Sequence, residues 1–233
     1  MRVADLHWMQ VEAIAARDDR AVLPIGSTEQ HAYLSLATDS TLAERVALEA
    51  AEPLGVPVFP VLPYGVTPAL TAYPGTITLS TAAFTRVVAE ILDGIHASGF
   101  RRVLIVNGHG GNMALHPMAE AWREKHPDAR LKVHDWWKAP RVSDKVEAID
   151  PIASHASWME NFPWTRLAGV AMPSERKPMT DLARLRTLSA AEAREMLGDG
   201  SFGGHYQRPD ADMEALWAEA IAETRALLED GWA

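Results

Sequence analysis

The chain has 233 residues, enough for one domain with a sizeable core, and its formal net charge of −9 argues against a nucleic-acid surface. It contains no cysteine, so disulfides and thiolate metal sites are excluded and any metal must be held by His, Asp and Glu. No apolar run is long enough to span a membrane and the first ten residues lack a signal-peptide pattern, so a cytoplasmic protein with no membrane partner is the expectation.

In chain order, Val11 to Arg17 has helical periodicity, and Ala21 to Gly26 reads as a short buried strand ending in glycine. Thr38-Asp39-Ser40 can cap a helix running to about Ala51. Val56 to Leu62 reads as a strand with prolines near its ends, and Thr76 to Leu79 as a β-prone run. Ser80 or Thr81 then caps a helix to about Ser98. Arg102 to Val106 is the clearest buried strand, leading through a glycine-rich turn into a helix over Ala114 to Lys125. Leu131 to Trp136 is a further strand, Ser189 and Glu192 form a capping-box pattern, and Met213 to Glu229 is a long last helix. Alternation of strand and helix predicts a single α/β domain over residues 1–233, a three-layer α/β/α sandwich with a largely parallel sheet. Ligands of such sheets bind at the carboxyl ends of the strands.

Three polar clusters follow predicted strands. In Gly26-Ser27-Thr28-Glu29-Gln30-His31, Glu29 and His31 are two apart and in an extended segment would point the same way. Asp39 lies at the start of the next helix, where a carboxylate could bridge two ions. The plain alternative is a surface turn and a polar cap. In Asn107 to Asn112, NGHGGN, the glycines (Gly110 and Gly111 after the central His109) let the backbone turn sharply and approach a ligand. The third cluster, Ser154 to Asn161, offers Glu160 as a further carboxylate and His155 as a group that titrates near neutral pH. Carboxylate and imidazole donors suit Zn²⁺, Mn²⁺ or Fe²⁺.

Taken in order, these clusters resemble the motifs of the creatininase (creatinine amidohydrolase) family. The family's G-S-x-E-Q-H followed by T-D is similar to Gly26–His31 and Thr38-Asp39; its aromatic-P-G-T to Tyr73-Pro74-Gly75-Thr76; its N-G-H-G-G-N to Asn107–Asn112; its H-A-G-E-x-E to His155–Glu160. The resemblance implies a three-layer α/β/α sandwich, a hexameric homo-oligomer, and two divalent metal ions. Carried over by motif, Glu29, Asp39 and His109 would hold one ion and His31, Asp39 and Glu160 the other, with Asp39 bridging. The implied chemistry is hydrolysis of a non-peptide or cyclic C–N bond in a small molecule. The two ions share a water and draw it down to a bridging hydroxide, and His155 protonates the leaving nitrogen. The five ligands should then converge on two points about 3.5 Å apart. Trp136, Trp137 and Trp158, with Gly110 and Gly111, would line the substrate pocket.

Departures from the family pattern bear on the substrate. A Glu within the third motif supplies a ligand in creatininase itself; Gly111 stands there, so the second ion rests on Glu160. The segment His31 to Asp39 is one residue short and lacks the family's second His; Ala69-Leu70 replaces a common Glu-His pair; Trp158 replaces a carboxylate. These changes argue against creatinine as substrate. They leave open a deformylase-like or peptidase-like hydrolase of the same family, or a degenerate member that binds without catalysis. His205, beside Gly203-Gly204, is expected in an ordinary loop.

Overall fold

The computed structural model describes residues 1–232. Its centre is a parallel sheet of β1 (Arg20–Ile25), β2 (Arg102–Asn107) and β3 (Arg130–Asp135), in that spatial order. The helices are α1 (Trp8–Arg17), α2 (Thr38–Ala51), α3 (Thr81–Ala97), α4 (Leu115–Lys125), α5 (Pro140–Ile149), α6 (Leu182–Leu185), α7 (Ala190–Leu197) and α8 (Asp210–Glu229).

The strands are apolar on both faces, and side-chain alternation divides them between two cores. Val22, Leu104 and Val106 face the core built with α2, α5 and α8. Ala21, Leu23, Ile25, Val103 and Ile105 face the core built with α1, α3 and α4. This is the three-layer α/β/α sandwich read from the sequence. A smaller cluster forms where Leu70 and Tyr73 pack on Leu185, Ala193 and Leu197.

Residues 56–62, predicted as a strand, run parallel to β1 but meet it only at the bridges Val22–Val58 and Ile25–Leu62. Between those bridges this segment carries one residue more than β1, a bulge. Pro24 lies opposite the bulge and has no N–H to give, while Pro57 and Pro60 remove donors from the segment itself and Pro63 ends it. Proline chemistry thus holds 56–62 as a broken edge. Thr76 to Leu79 likewise forms only isolated bridges, Thr28–Ile77 and Gly65–Thr78.

The predicted caps hold with one shift. Ser80 Oγ accepts from Ala83 N, and Ser189 and Glu192 form the capping box. Thr38, Asp39 and Ser40, however, lie inside the first turn of α2, whose cap position is Ala37. Thr38 Oγ1 donates to Ser35 O (2.6 Å) and Ser40 Oγ to Ser27 O (3.0 Å), which ties this turn to the loop leaving β1. Asp39 is thereby presented inward, at a helix start where the backbone dipole favours a carboxylate.

Candidate metal centre

The carboxyl ends of β1 and β2 open onto one buried polar cluster. The loop after β1 brings Glu29 and His31, the first turn of α2 brings Asp39, and the turn after β2 brings His109; all four are buried. The segment 154–161 closes over them with His155 and Glu160. Glu160 lies in a single 3-10 turn, Trp158–Glu160, and its Oε2 accepts from Ala156 N at 2.6 Å. Ala156 has φ of 55°, a left-handed conformation that bends the chain back toward the carboxylate.

Two three-residue groupings share Asp39: Glu29–Asp39–His109 and His31–Asp39–Glu160, with all donor atoms in each within 4.8 Å of one another. His109 Nδ1 lies 2.9 Å from Asp39 Oδ2 and 3.3 Å from Glu29 Oε1. His31 Nε2 lies 3.0 Å from Asp39 Oδ1 and 3.8 Å from Glu160 Oε2. Ligands about 2.0–2.1 Å from a common ion stand about 2.8–3.4 Å apart, so three of these four spacings are those of a coordination shell.

Hydrogen bonding supports the same reading. His31 Nε2 and Asp39 Oδ2 are buried and make no hydrogen bond of good geometry, although Asp39 Oδ1 and His109 Nδ1 approach them to 3.0 and 2.9 Å. Buried polar atoms are almost always satisfied, so this pair is aimed at something else. Each imidazole has its other nitrogen engaged: His31 Nδ1 donates to Glu29 O (3.1 Å) and His109 Nε2 to Val66 O (3.1 Å). That fixes the tautomer of each ring and leaves the inward nitrogen with a free lone pair, as a metal ligand requires.

The electrostatics also call for added positive charge. Burial alone would raise the Glu29 and Asp39 carboxyls, but His109 beside Glu29 and His31 beside Asp39 hold both below the usual range. Burial opposes charging His31, yet Asp39 and Glu160 raise it to about 10. His109 is raised in the same way, against burial, by Glu29 and Asp39. Glu160 goes the other way: burial lifts it to about 7 despite the neighbouring His31. Protons on the His31 and His109 imidazoles thus supply the cations that the Glu29 and Asp39 carboxylates demand, while Glu160 tends to keep its own proton. The donor set fits two divalent ions with a shared carboxylate, and no side chain need be recruited from elsewhere.

The turn that carries His109 is locked by the two asparagines of its motif. Asn107 Oδ1 accepts from His109 N and Asn112 Nδ2 (both 3.1 Å), and Asn107 Nδ2 donates to Asp135 Oδ1 (2.7 Å). Asn112 Oδ1 accepts from Val66 N (3.1 Å) and its Nδ2 donates to Gly26 O (3.2 Å). A Cβ on Gly111 would lie 2.1 Å from Val66 O and 2.4 Å from His109 Nε2. No side chain fits there while Val66 O holds His109, so Gly111 contributes no ligand.

His155 sits against the cluster, its ring 4.4 Å from that of His31 and its Nδ1 3.6 Å from Glu29 Oε1. Burial, with His31 beside it, pushes this imidazole down to about 4. Gln30 is oriented by Ala32 N on its Oε1 (3.1 Å) and Gly200 O on its Nε2 (3.0 Å). Its amide nitrogen and its backbone carbonyl then lie 2.8 Å and 3.0 Å from His155 Nε2. Gln30 so offers this nitrogen both a donor and an acceptor, and the ring is supported whichever nitrogen carries the proton.

A cavity of about 410 Å³ opens over the cluster, lined by Glu29, Asp39, His109, His155 and Glu160 and by Gly110, Gly111 and Trp137. Trp136 and Trp158 do not reach it. Trp136 is 1% and Trp158 0% exposed, and both belong to the core beneath α8. The 3-10 turn Trp136–Lys138 sends adjacent side chains opposite ways, so only Trp137 faces the cavity. Trp158 is anchored inward, Nε1 donating to Ile152 O (2.9 Å). Sequence reasoning missed Phe202, whose ring packs tilted against His155 at 4.7 Å and lines the cavity with Val66, Leu70 and Met159. The glycines around Phe202 were the available signal. Gly200, Gly203 and Gly204 all have positive φ and let residues 198–206 wrap the His155 segment, with Phe202 N donating to His155 O and Ser154 Oγ to Gly203 O. His205 is part of this wrap through its carbonyl, which accepts from Trp158 N, and does not line the cavity.

Comparison with known proteins places this arrangement. The chain is 34% identical to a creatinine amidohydrolase of Pseudomonas putida over 160 residues, 62% of each chain. It is 39% identical over 100 residues to a mycofactocin precursor peptide peptidase of Mycolicibacterium smegmatis, 40% of each chain. These matches span less than two thirds of either relative. Among solved structures, a variant creatininase in a Zn–Zn form superposes with a TM-score of 0.77 at 21% identity, covering 98% of this chain and 97% of that one. A manganese creatininase gives 0.75 at 21% identity, with 98% and 97% covered. The family profile described as creatinine amidohydrolase matches residues 4–228, and the chain belongs to the creatininase family.

Proposed function

We propose that this protein is a metal-dependent hydrolase that cleaves an amide-type C–N bond in a small molecule. Glu29, Asp39 and His109 would hold one divalent ion and His31, Asp39 and Glu160 a second, zinc or manganese by analogy with the solved creatininases. Iron fits the same donors. When bound, such ions activate water and polarise a substrate carbonyl. The observation that carries this reading is the pair of buried, partnerless ligand atoms, His31 Nε2 and Asp39 Oδ2, at the centre of the cluster.

The chain's own residues supply the rest. His155, the titratable group on the cavity wall not assigned to an ion, passes a proton between its Nδ1 and the leaving nitrogen, while Gln30 supports Nε2 in either state. Trp137 and Phe202 flank the reacting group and exclude water. The turn Asn107–Asn112 holds His109 against displacement as charge develops.

Metal quantification coupled to a screen of cyclic amides, formamides and short peptides tests this proposal. The expected result is two ions per chain and metal-dependent hydrolysis of at least one class. Fewer than two ions with no hydrolysis would favour a non-catalytic binding member instead. A peptidase-like reading competes on one observation, the 39% identity to the mycofactocin precursor peptide peptidase, and the peptide arm of the screen separates it.

A further inference from the structure

The cavity's charges are confined to its floor. Every ionisable side chain that lines it is either a carboxylate or imidazole of the ligand set or His155, and no Lys or Arg among the described residues does so. Lys138 follows Trp137 in sequence and is engaged elsewhere, its Nζ over the Trp137 ring at 5.2 Å from the centre and 4.0 Å from Asp135 Oδ2, and it does not line the cavity. The walls are mainly apolar, formed by Val66, Leu70, Trp137, Ala153, Met159 and Phe202, and the hydroxyls of Thr67 and Ser154 are their uncharged polar groups. Two divalent ions held there would bring four positive charges against three carboxylates and a hydroxide, so the floor would carry no large excess of charge to attract an anion. A carboxylate on the part of the substrate that lies along the walls would be buried with no Lys or Arg beside it, a costly arrangement. An ammonium group would lose its hydration and find no carboxylate on these walls, only hydroxyls and aromatic faces, which return a small part of that cost.

Resting on the hydrolase reading above, we infer that the substrate is an uncharged amide carrying an apolar or aromatic substituent. The scissile group meets the ligand cluster and the substituent lies along the wall formed by Leu70, Trp137 and Phe202. The wall, not the metal floor, then sets specificity. Anionic and zwitterionic amides, including peptides presenting a free carboxylate at the cavity, are rejected. Ala69, half-buried on the wall beside Leu70, is the point from which a cation would reverse that preference.

Hydroxamates test this without a known substrate, because they chelate divalent ions and carry a chosen side group into the cavity. Calorimetric titration of the zinc-loaded full-length chain would compare four: acetohydroxamate, phenylacetohydroxamate, succinic monohydroxamate and β-alanine hydroxamate. Phenylacetohydroxamate is expected to bind at least about tenfold tighter than acetohydroxamate, and the two charged compounds no tighter than acetohydroxamate. Ala69→Arg is expected to shift the ratio of succinic to phenylacetic affinity by about tenfold toward the carboxylate. That ratio is taken within one protein, so it does not depend on how much of the variant folds. Succinic monohydroxamate binding as tightly as phenylacetohydroxamate overturns the inference and leaves the metal centre standing. So does the absence of any gain from the phenyl group. If no hydroxamate binds the zinc-treated chain, the hydrolase reading fails and the inference with it.

Discussion

Asp39 is the residue on which both halves of the site depend, with one oxygen near His31 and the other near His109. Glu160 belongs to only one half. Glu160→Gln is therefore expected to bind one ion per chain where the native protein binds two, and Asp39→Ala none, measured by elemental analysis after gel filtration. His109→Ala should lose the ion shared with Glu29 while far-ultraviolet circular dichroism stays native; full metal content in that variant would remove His109 from the ligand set. Protons and metal compete for the same atoms. His31, at about 10, and His109, also raised, must each release a proton to coordinate. Metal affinity should accordingly rise with pH through the neutral and alkaline range, and loading at pH 7 should release protons, read as buffer-dependent calorimetric heat. His155→Asn should leave metal content intact and lower kcat about 10²–10⁴-fold, the usual worth of a positioned acid or base.

At the level of elements, the site is a set of turns pinned by side-chain amides. Asn112 joins the His109 turn to two other loops by accepting from Val66 N and donating to Gly26 O. Asn112→Ala leaves those groups and Asn107 Oδ1 short of a partner, and should cost about 1–3 kcal/mol in urea denaturation. It should also weaken metal binding, since the same turn aims His109. These elements were legible to unequal degrees. Glu29, His31, Asp39 and His109 could be read because each follows a strand or opens a helix, and local sequence marks such junctions. Glu160 needed the left-handed bend at Ala156 to turn inward, which no spacing announces. Phe202 comes to the cavity through contacts formed more than forty residues from His155 in sequence. Trp136 and Trp137 differ only in which way one 3-10 turn rotates them, a choice made by the aromatic core beneath rather than by the residues themselves. The edge segment 56–62 was legible as extended chain, but its prolines decide how little it pairs.

At the level of the whole molecule, two cores clasp one sheet, and the α8 side contains a buried titratable group. His134 Nε2 donates to Thr224 Oγ1 (3.0 Å), whose own proton goes to Ala220 O. Burial lowers His134 to about 4 from 6.5. Above pH 6.5 the ring is neutral whether the chain is folded or not. As pH falls below 6.5 the unfolded chain takes up the proton first, so stability drops until about pH 4 and then levels. The full effect is about 3 kcal/mol. His134→Gln keeps the donor and cannot titrate. The difference in unfolding free energy between native and variant protein, both stripped of metal, should shrink by that amount between pH 7 and 4. A constant difference would mean that His134 is not the titrating group.

The chain has eight tryptophans, and the fold has sorted them. Trp136, Trp164 and Trp217 are knotted with Phe162 at ring separations of 4.9–6.4 Å beneath α8. Trp158 is sealed in the same core, and Trp122 stacks on His126 at the far face of the sandwich. Trp137 alone lines the cavity. Its indole is therefore an optical reporter built into the binding site. A ligand that fills the cavity should change the emission of this one fluorophore on a constant background. Trp137→Phe should abolish the change, so occupancy could be followed in solution before any reaction product is known.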